Sequence, residues 1–359
     1  MTKAELVKYY DKYSTSLFFV AGFLFDVATL DRIDDSFNFI IQLLYLLVAY
    51  LSFFLILTQK VQREDEVKYA YIRFFYRHAD DIHHFAIGSL LSAYALYFFK
   101  SASFSTSYLF LFLIFALLVL NELQDFKQLG PWIKSGLLKL CLTSFCCAYV
   151  PILLGQSGTI SFLAAIFLSL SLSTLFGFYL AKYHIAWEPF KAAYLIPKAA
   201  TILVFLLLYA FRVFPPIPLA LKQIGIYHNI EKNNGEYLAY SERPWYRFWH
   251  KGDQEFVAQP GDKVWVFIRL FAPGGLKQKI YLVFEREEKT GWQQSDRIPI
   301  LITGGRAEGF RGRAYKSNYT SGNWRVRVET EDELEVGQLD FEILTGNEQF
   351  QRVWKEEVF

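Results

Sequence analysis

The chain has 359 residues, 53% hydrophobic and 19% aromatic, with a formal net charge of +2. So even a balance excludes the broad basic field that nucleic-acid binding needs. A succession of long apolar runs, one of them (Ser36–Leu57) without a charge, occupies Tyr13–Val213 and is missing from Pro215–Phe359, which excludes a wholly water-soluble chain and predicts a multispan helical half followed by a soluble half.

A helix needs roughly 20 apolar residues to cross a bilayer. By that measure about seven spans are expected: Ser14–Leu30, Ser36–Leu57, His84–Phe99, Thr106–Leu120, Leu137–Leu154, Ile160–Ala181 and Pro197–Val213. The third, fourth and seventh are short, so they are expected to extend by a turn or to sit in a thin bilayer. The first lacks an A-x-A-like cleavage site and is interrupted by Asp26, and it reads as a retained span. Pro151 falls near a helix end, where it is tolerated. Cys141, Cys146 and Cys147 share one apolar run. The soluble half, having no cysteine, relies on its core.

The short loops divide by charge. Lys3, Lys8 and Lys12, then Lys60, Arg63, Lys68, Arg73 and Arg77, then Lys127, Lys134, Lys182 and Lys191 fall on one side; the other has little beyond Arg32 and Lys100. The positive-inside rule puts the first set, and the N-terminus, in the cytoplasm. An odd number of spans then carries the C-terminal domain outside, to the periplasm of a Gram-negative cell. The expected organisation is a membrane domain over 1–213, a proline-rich connector over 214–223 and a soluble domain over 224–359. Phe214-Pro-Pro-Ile-Pro218 reads as stiff and extended, holding that domain near the bilayer.

From Ile224 the period changes. Val264, Val266, Ile268 and Leu270 alternate with other side chains. So do Ile280, Leu282 and Phe284, then Ile298, Ile300 and Ile302, then Trp324, Val326 and Val328, then Leu339, Phe341 and Ile343. Alternation over short runs predicts strands with one buried face. Glycine-rich turns and the lack of intervening helices predict an antiparallel, immunoglobulin-like sandwich. Phe350, Val353, Trp354 and Val358 share one face of an expected short C-terminal helix.

Three segments, VWVFIRLFAP, GGRAEGFRGRAYKSN and GNWRVRVETEDELEVGQLDF, resemble the domain of unknown function 2914 family. The segments FFVAGFLFDVATLDRIDD, HHFAIGSLLSAY and PPIPLALKQIGIYH are similar to the multispan region that accompanies this domain in some bacterial proteins. The resemblance implies this architecture and a bacterial envelope setting. It adds no catalytic residue, because the family has no assigned reaction.

Four constellations carry chemistry. Arg306, Arg311, Arg313 and Lys316, among glycines and near Trp324, offer an anion site, since guanidinium forks bind carboxylate or phosphate. The plainer reading pairs those cations with Glu329, Glu331 or Asp332 across strands. Trp245, Tyr246 and Trp249 lie among basic residues and suit a bilayer interface, or they cover one end of the sandwich. His78, His83, His84 and His184, with Glu122 and Asp125, hold possible metal ligands, although the spacing fits no ligand motif and a solvated helix end accounts for it. Asp26 is a carboxylate within a span, either a proton or cation site or paired with Arg32 or Arg212. With no second acid or base recognised along the spans, a proton relay lacks support.

The chain has no G-x-S-x-G elbow, P-loop, dinucleotide fingerprint or H-E-x-x-H. No cofactor is expected, and a non-enzyme is favoured. The sequence reads as an inner-membrane protein whose bundle anchors a periplasmic binding module for an envelope protein, a lipid head group or an anionic glycan. The alternative is a membrane-embedded enzyme or transporter that the β domain caps.

Overall fold

The computed structural model describes residues 23–30, 32–59, 70–122, 130–182, 187–244, 246, 251–306, 308–345 and 351–359. The chain divides into two compact units, a helical one ending at Phe214 and a second made of Lys100–Tyr108, Gly155–Gly158 and Pro215–Phe359.

The helices are α1 Ser36–Gln59, α2 Ala70–Arg77, α3 Ala79–Ser101, α4 Phe104–Glu122, α5 Pro131–Leu154, α6 Thr159–Lys182 and α7 Trp187–Ala210. Among the described residues, six (α1 and α3 to α7) are long and apolar enough to cross a membrane. The short expected spans do gain length: α3 starts five residues before His84, and the seventh expected span begins within α7. Most of the first expected span, Ser14–Leu30, lies outside the described residues, and residues 23–29 are helical. A count of seven is therefore not established.

Within the helical unit α5 is the most enclosed helix and packs on α1, α6 and α7. Its buried Cys141, Thr143, Ser144, Cys146, Cys147 and Ala148 are small, which lets helix backbones approach closely. Gly136 packs near the Pro197 ring of α7, and Thr143 shares a 2.8 Å hydrogen bond with Ser169 of α6. Outward faces are apolar, with Phe112, Phe167 and Phe178 at 70–71% exposure, as lipid contact requires.

The strands are β1 Ala220–Tyr227, β2 Asn229–Asn233, β3 Glu236–Ser241, β4 Glu255–Ala258, β5 Val264–Phe271, β6 Lys277–Glu288, β7 Gly291–Thr303, β8 Phe310–Lys316, β9 Gly322–Thr330, β10 Glu335–Thr345 and β11 Lys355–Val358. They form sheets ordered β1-β5-β8, β4-β10-β9-β6-β7 and β11-β3-β2. The first two sheets share one core, in which Val264, Val266, Ile268 and Leu270 of β5 meet Ile280, Leu282, Val326 and Val328. A second, smaller core of Tyr227, Ile230, Ala239 and Phe267, closed by Tyr237, Trp265 and Phe359, joins the β11-β3-β2 sheet to β1 and β5.

Three expectations change. The all-β domain begins inside the expected connector, because Leu219 is buried in the main core and Ala220 already pairs with Phe271. The sheets are not purely antiparallel, since β4 runs parallel to β10. The expected C-terminal helix is a strand at Lys355–Val358. It pairs antiparallel with β3, and the Phe359 ring stacks on Phe267 at 4.5 Å. An open strand edge and an apolar pocket for the last ring outweigh a helix too short to be stable alone.

Candidate functional site

A group of buried charges gathers around His228. This residue links β1 to β2, and its backbone N–H donates to Tyr240 of β3 at 2.9 Å. The ring stacks on Phe256 of β4 at 4.0 Å and meets Trp354 edge-on at 5.4 Å. Only 2% of its side chain is exposed. Three carboxylates face it: Glu242 at 3.3 Å, Asp253 at 3.6 Å and Asp262 at 3.7 Å.

The carboxylates are themselves held. Both Asp253 oxygens accept the Glu242 backbone N–H, at 3.0 and 3.2 Å. Asp262 accepts the Gln259 N–H at 2.7 Å and is gripped by Arg352, whose Nη1 lies 3.1 Å from Oδ1. Arg352 also donates to the Val257 carbonyl at 3.0 Å and lies 3.4 Å from Glu242. A second pair, Arg243 with Glu357 of β11 at 3.0 Å, receives the Tyr227 hydroxyl on Glu357 at 3.2 Å.

Gly252 explains how Asp253 comes to sit here. Its φ is +65°, and a Cβ there would meet the Ile226 carbonyl oxygen at 2.1 Å, so only glycine permits this approach. The Asp253 N–H then bonds that carbonyl at 2.8 Å.

Burial governs protonation. It lowers the His228 pKa to about 4, with the nearby Arg352 charge adding to the effect, so the imidazole is neutral. Burial raises Asp253 to about 7 despite the Glu242 N–H, and it raises Glu242 as well. Asp262 moves the other way: burial opposes ionisation, but hydrogen bonds from Arg352 and Gln259 prevail. Beside this cluster is a cavity of 180 Å³ lined by Glu242, Arg243, Pro244, Gly252, Asp253, Gln254, Glu255 and Val257. Perturbed, buried titratable groups next to a cavity mark a functional candidate on physical grounds.

The residues singled out from sequence lie elsewhere. Arg306 is exposed ahead of β8. Arg311 donates to the main-chain oxygens of Phe359 (2.7 Å) and Gly235 (3.1 Å), and Arg313 donates to that of Ile230. Lys316 is buried and bonds Ser295 and Asp296, with Trp324 beneath it at 5.2 Å. Trp324 belongs to the main core and donates to the Thr320 carbonyl. Arg311 and Arg313 are thus held by main-chain oxygens of the domain, and Lys316 by Ser295 and Asp296. Tyr246 is exposed, while Trp245 and Trp249 lie outside the described residues.

In the helical unit, Asp26 accepts a hydrogen bond from Ser92 of α3 at 2.5 Å, and Arg32 bonds Asp34. Arg212 follows α7 with φ +59°. His83 is buried, its Nδ1 3.0 Å from the Ala49 carbonyl of α1. His78 lies 3.6 Å from Asp81. His84 is on α3 beside His83, while His184, Asp125 and the Glu122 side chain lie outside the description. Among the described residues no group of three His, Cys, Asp or Glu side chains is arranged to hold a metal.

Sequence reading passed over two intramembrane bases, Lys139 on α5 and Lys198 on α7. Lys139 is 2% exposed, and its Nζ has no hydrogen-bond partner among the described residues. It sits 3.8 Å from the Tyr194 ring centre, with Tyr50 at 5.4 Å and Phe176 at 5.7 Å. Lys198 donates to Thr174 at 3.0 Å.

Helices of membrane-crossing length and an all-β C-terminal domain together define a membrane-anchored, two-part protein. Residues 277–343 match the family described as "Protein of unknown function (DUF2914)", so the C-terminal region carries a domain of that family. The match runs from β6 to Ile343 in β10, and the His228 cluster lies outside it. No curated protein matches the chain. An immunoglobulin-like protein from Pseudomonas aeruginosa is similar at 14% identity and a TM-score of 0.20, covering 33% of this chain and 96% of that one. The Pseudomonas fluorescens alkylpurine DNA glycosylase AlkC, bound to DNA containing an abasic site analog, is similar at 9% identity and a TM-score of 0.20, over 77% and 82%. At such scores neither likeness carries an argument.

Proposed function

We propose that this is a bacterial inner-membrane protein whose helices anchor a binding domain on the outer face, and that the domain takes its ligand in the cavity beside His228. The positive-inside pattern supports the orientation. Two sheets sharing one core support an immunoglobulin-like sandwich as the scaffold. The observation that carries the reading is the meeting of a 180 Å³ cavity with a buried, pKa-shifted charge cluster. A hole of that volume is well below the roughly 300–1,000 Å³ of drug-sized pockets. It suits a lipid head group or similar small envelope molecule better than a glycan chain or a protein segment.

Native mass spectrometry of the full chain in detergent tests this. A small molecule should co-purify with the wild type and be lost from Val257→Phe, which fills the cavity. Retention by a folded variant would refute the cavity as the site.

Lys139 favours a second reading, in which the bundle itself is active. An ionisable side chain at membrane depth with no acceptor is functional by default, and three rings supply what stabilisation it has. Lys139→Met should then abolish any proton or solute flux in proteoliposomes that the wild type supports. Unchanged flux in the variant would leave the bundle as an anchor.

A further inference from the structure

We infer that the β domain carries a second binding site, an open basic and aromatic face that takes an acidic glycan, a sugar chain bearing carboxylates. This goes beyond the reading of the cavity, with which the face shares no lining residue.

Pairing of β5 with β8 sets Trp265 opposite Tyr315 and Phe267 opposite Arg313. Val264, Val266 and Ile268 fill the main core, so the alternate positions face away from it. The β2–β3 hairpin brings Lys232 and Tyr237, which pair with each other, to the same face. Lys232 Nζ lies 5.7 Å from the Tyr237 ring centre. The Arg313 guanidinium lies 5.7 Å from that ring and 5.3 Å from Trp265. The Trp265 and Tyr315 ring centres are 4.8 Å apart, and Lys263 Nζ is 4.6 Å from Tyr315. These contacts make one continuous row: cation, ring, cation, two rings, cation.

The row is accessible. Lys232, Lys263 and Arg313 are exposed, Tyr315 is 46% exposed, and Tyr237 and Trp265 are half-buried. Its charge is also uncancelled. Among the described residues, the partners of the three cations are these rings and the Ile230 main-chain oxygen, with no carboxylate. A ring or a carbonyl attracts a cation without neutralising it. Of the other cations on this face, Arg269 is paired with Glu308 at 3.7 Å, and Arg311 is held by oxygens of Phe359 and Gly235. In sequence, the undescribed positions of the domain add one acid, Glu348, which Arg247 offsets, so the excess does not rest on them. Like charges held along one row repel each other, and a bound polyanion relieves that repulsion.

The alternation selects the ligand. A chain of uronic acids repeats one carboxylate and one apolar ring face per sugar, which matches cations interleaved with rings. An acidic peptide supplies carboxylates with no such face beside each. A lipid surface calls for rings that project past the charges, whereas here the cations are the more exposed groups.

Calorimetry on the full chain in phosphatidylcholine nanodiscs tests this with three probes: hexagalacturonate, uncharged cellohexaose and hexaglutamate. Hexagalacturonate should bind about ten-fold more tightly than either of the others, and less tightly as salt is raised. Lys263→Gln and Tyr315→Ser change exposed side chains, so the fold should survive, with an unshifted melting midpoint as the check. Each should weaken hexagalacturonate by about five-fold. Lys289→Gln, in the β6–β7 turn, should leave it unchanged. Arg313 is kept, because it also holds Ile230. Equal binding of hexaglutamate overturns the glycan in favour of a plain anion patch. No binding of hexagalacturonate, or binding that both variants retain, overturns the site. Co-flotation of the discs with phosphatidylglycerol vesicles, lost in Lys263→Gln, would give the face to a lipid surface and also overturn it. None of these outcomes touches the cavity, which the Val257→Phe measurement decides separately.

Discussion

His228 and Asp253 titrate in opposite senses, and their opposition can be measured. A buried neutral His228 with a pKa of about 4 takes no proton in the folded state between pH 6.5 and 4, whereas the unfolded chain does. Its contribution to stability therefore falls as pH drops through that window. Asp253, raised from 3.8 to about 7, holds a proton that the unfolded chain has lost, so its contribution falls as pH rises from about 4 to 7. At about 1.4 kcal/mol per pKa unit the two effects are roughly 3 to 5 kcal/mol each. The two slopes nearly cancel, and wild-type stability should be almost flat from pH 4 to 6.5. Asp253→Asn should expose the His228 slope, with stability rising with pH, and His228→Gln should expose the opposite slope. Denaturant melts across this range check both; parallel, flat profiles in all three proteins would refute the pairing. Loss of Arg352 leaves two carboxylates of the His228 cluster without their cation, because it serves both Asp262 and Glu242. Arg352→Met should cost about 3 kcal/mol, read as a lower midpoint in the same melts.

At the scale of elements, Arg311 and Arg313 cross from β8 to the β11-β3-β2 sheet, donating to oxygens of Phe359, Gly235 and Ile230. Charge reversal at Arg313 should therefore loosen that sheet, not merely change a surface. Hydrogen exchange should accelerate by ten-fold or more in Asn229–Ser241 and Lys355–Val358 while β5, β6 and β9 keep their protection. The same elements mark the limits of legibility. β5, β6, β9 and β10 alternate cleanly because each has one face in the main core. β2 to β4 are short, β1 opens inside the expected connector, and none of the four was separately predicted, although Asn234-Gly235 at the β2–β3 turn, with φ of +50° and +90°, is a recognisable hairpin signal. The tail misled because Phe350, Val353, Trp354 and Val358 are spaced like a helix face. Its partner edge on β3 lies over a hundred residues away, and no local pattern reports it. The His228 cluster was illegible for the same reason. Its members come from the β1–β2 link, both ends of the aromatic-basic loop, a turn and the tail, brought together only by the sheets.

Whole-molecule behaviour follows from where the units begin and how often the chain crosses lipid. Leu219 and Leu221 pack in or against the β core and Ala220 starts the β1–β5 register, so a fragment starting at Ile224 lacks three of the seven residue pairs that join β1 to β5. A fragment over 215–359 should fold with β-type circular dichroism and a cooperative melt, and one over 224–359 should melt lower or fail to fold. Sidedness depends on parity. The six helices of membrane length among the described residues, entered from a cytoplasmic N-terminus, would return the chain to the cytoplasm. A seventh crossing before Ser36 sends the β domain out. Residues 23–29 are helical and end near Arg32, which fits a crossing that finishes on the outer side. A phosphatase fused after Phe359 should then be active outside the cell membrane. Removing Met1–Leu30 should reverse the sign by removing one crossing, unless the lysines and arginines of Lys60–Arg77 hold the remaining helices in place. In that case α1 would keep its outside-to-inside sense, with its first residue translocated, or fail to insert, while the reporter stays active, and cysteine labelling at Phe37 would distinguish the two. A fusion inactive outside in the intact chain would put the β domain among cytoplasmic ligands and remove the envelope from its proposed role.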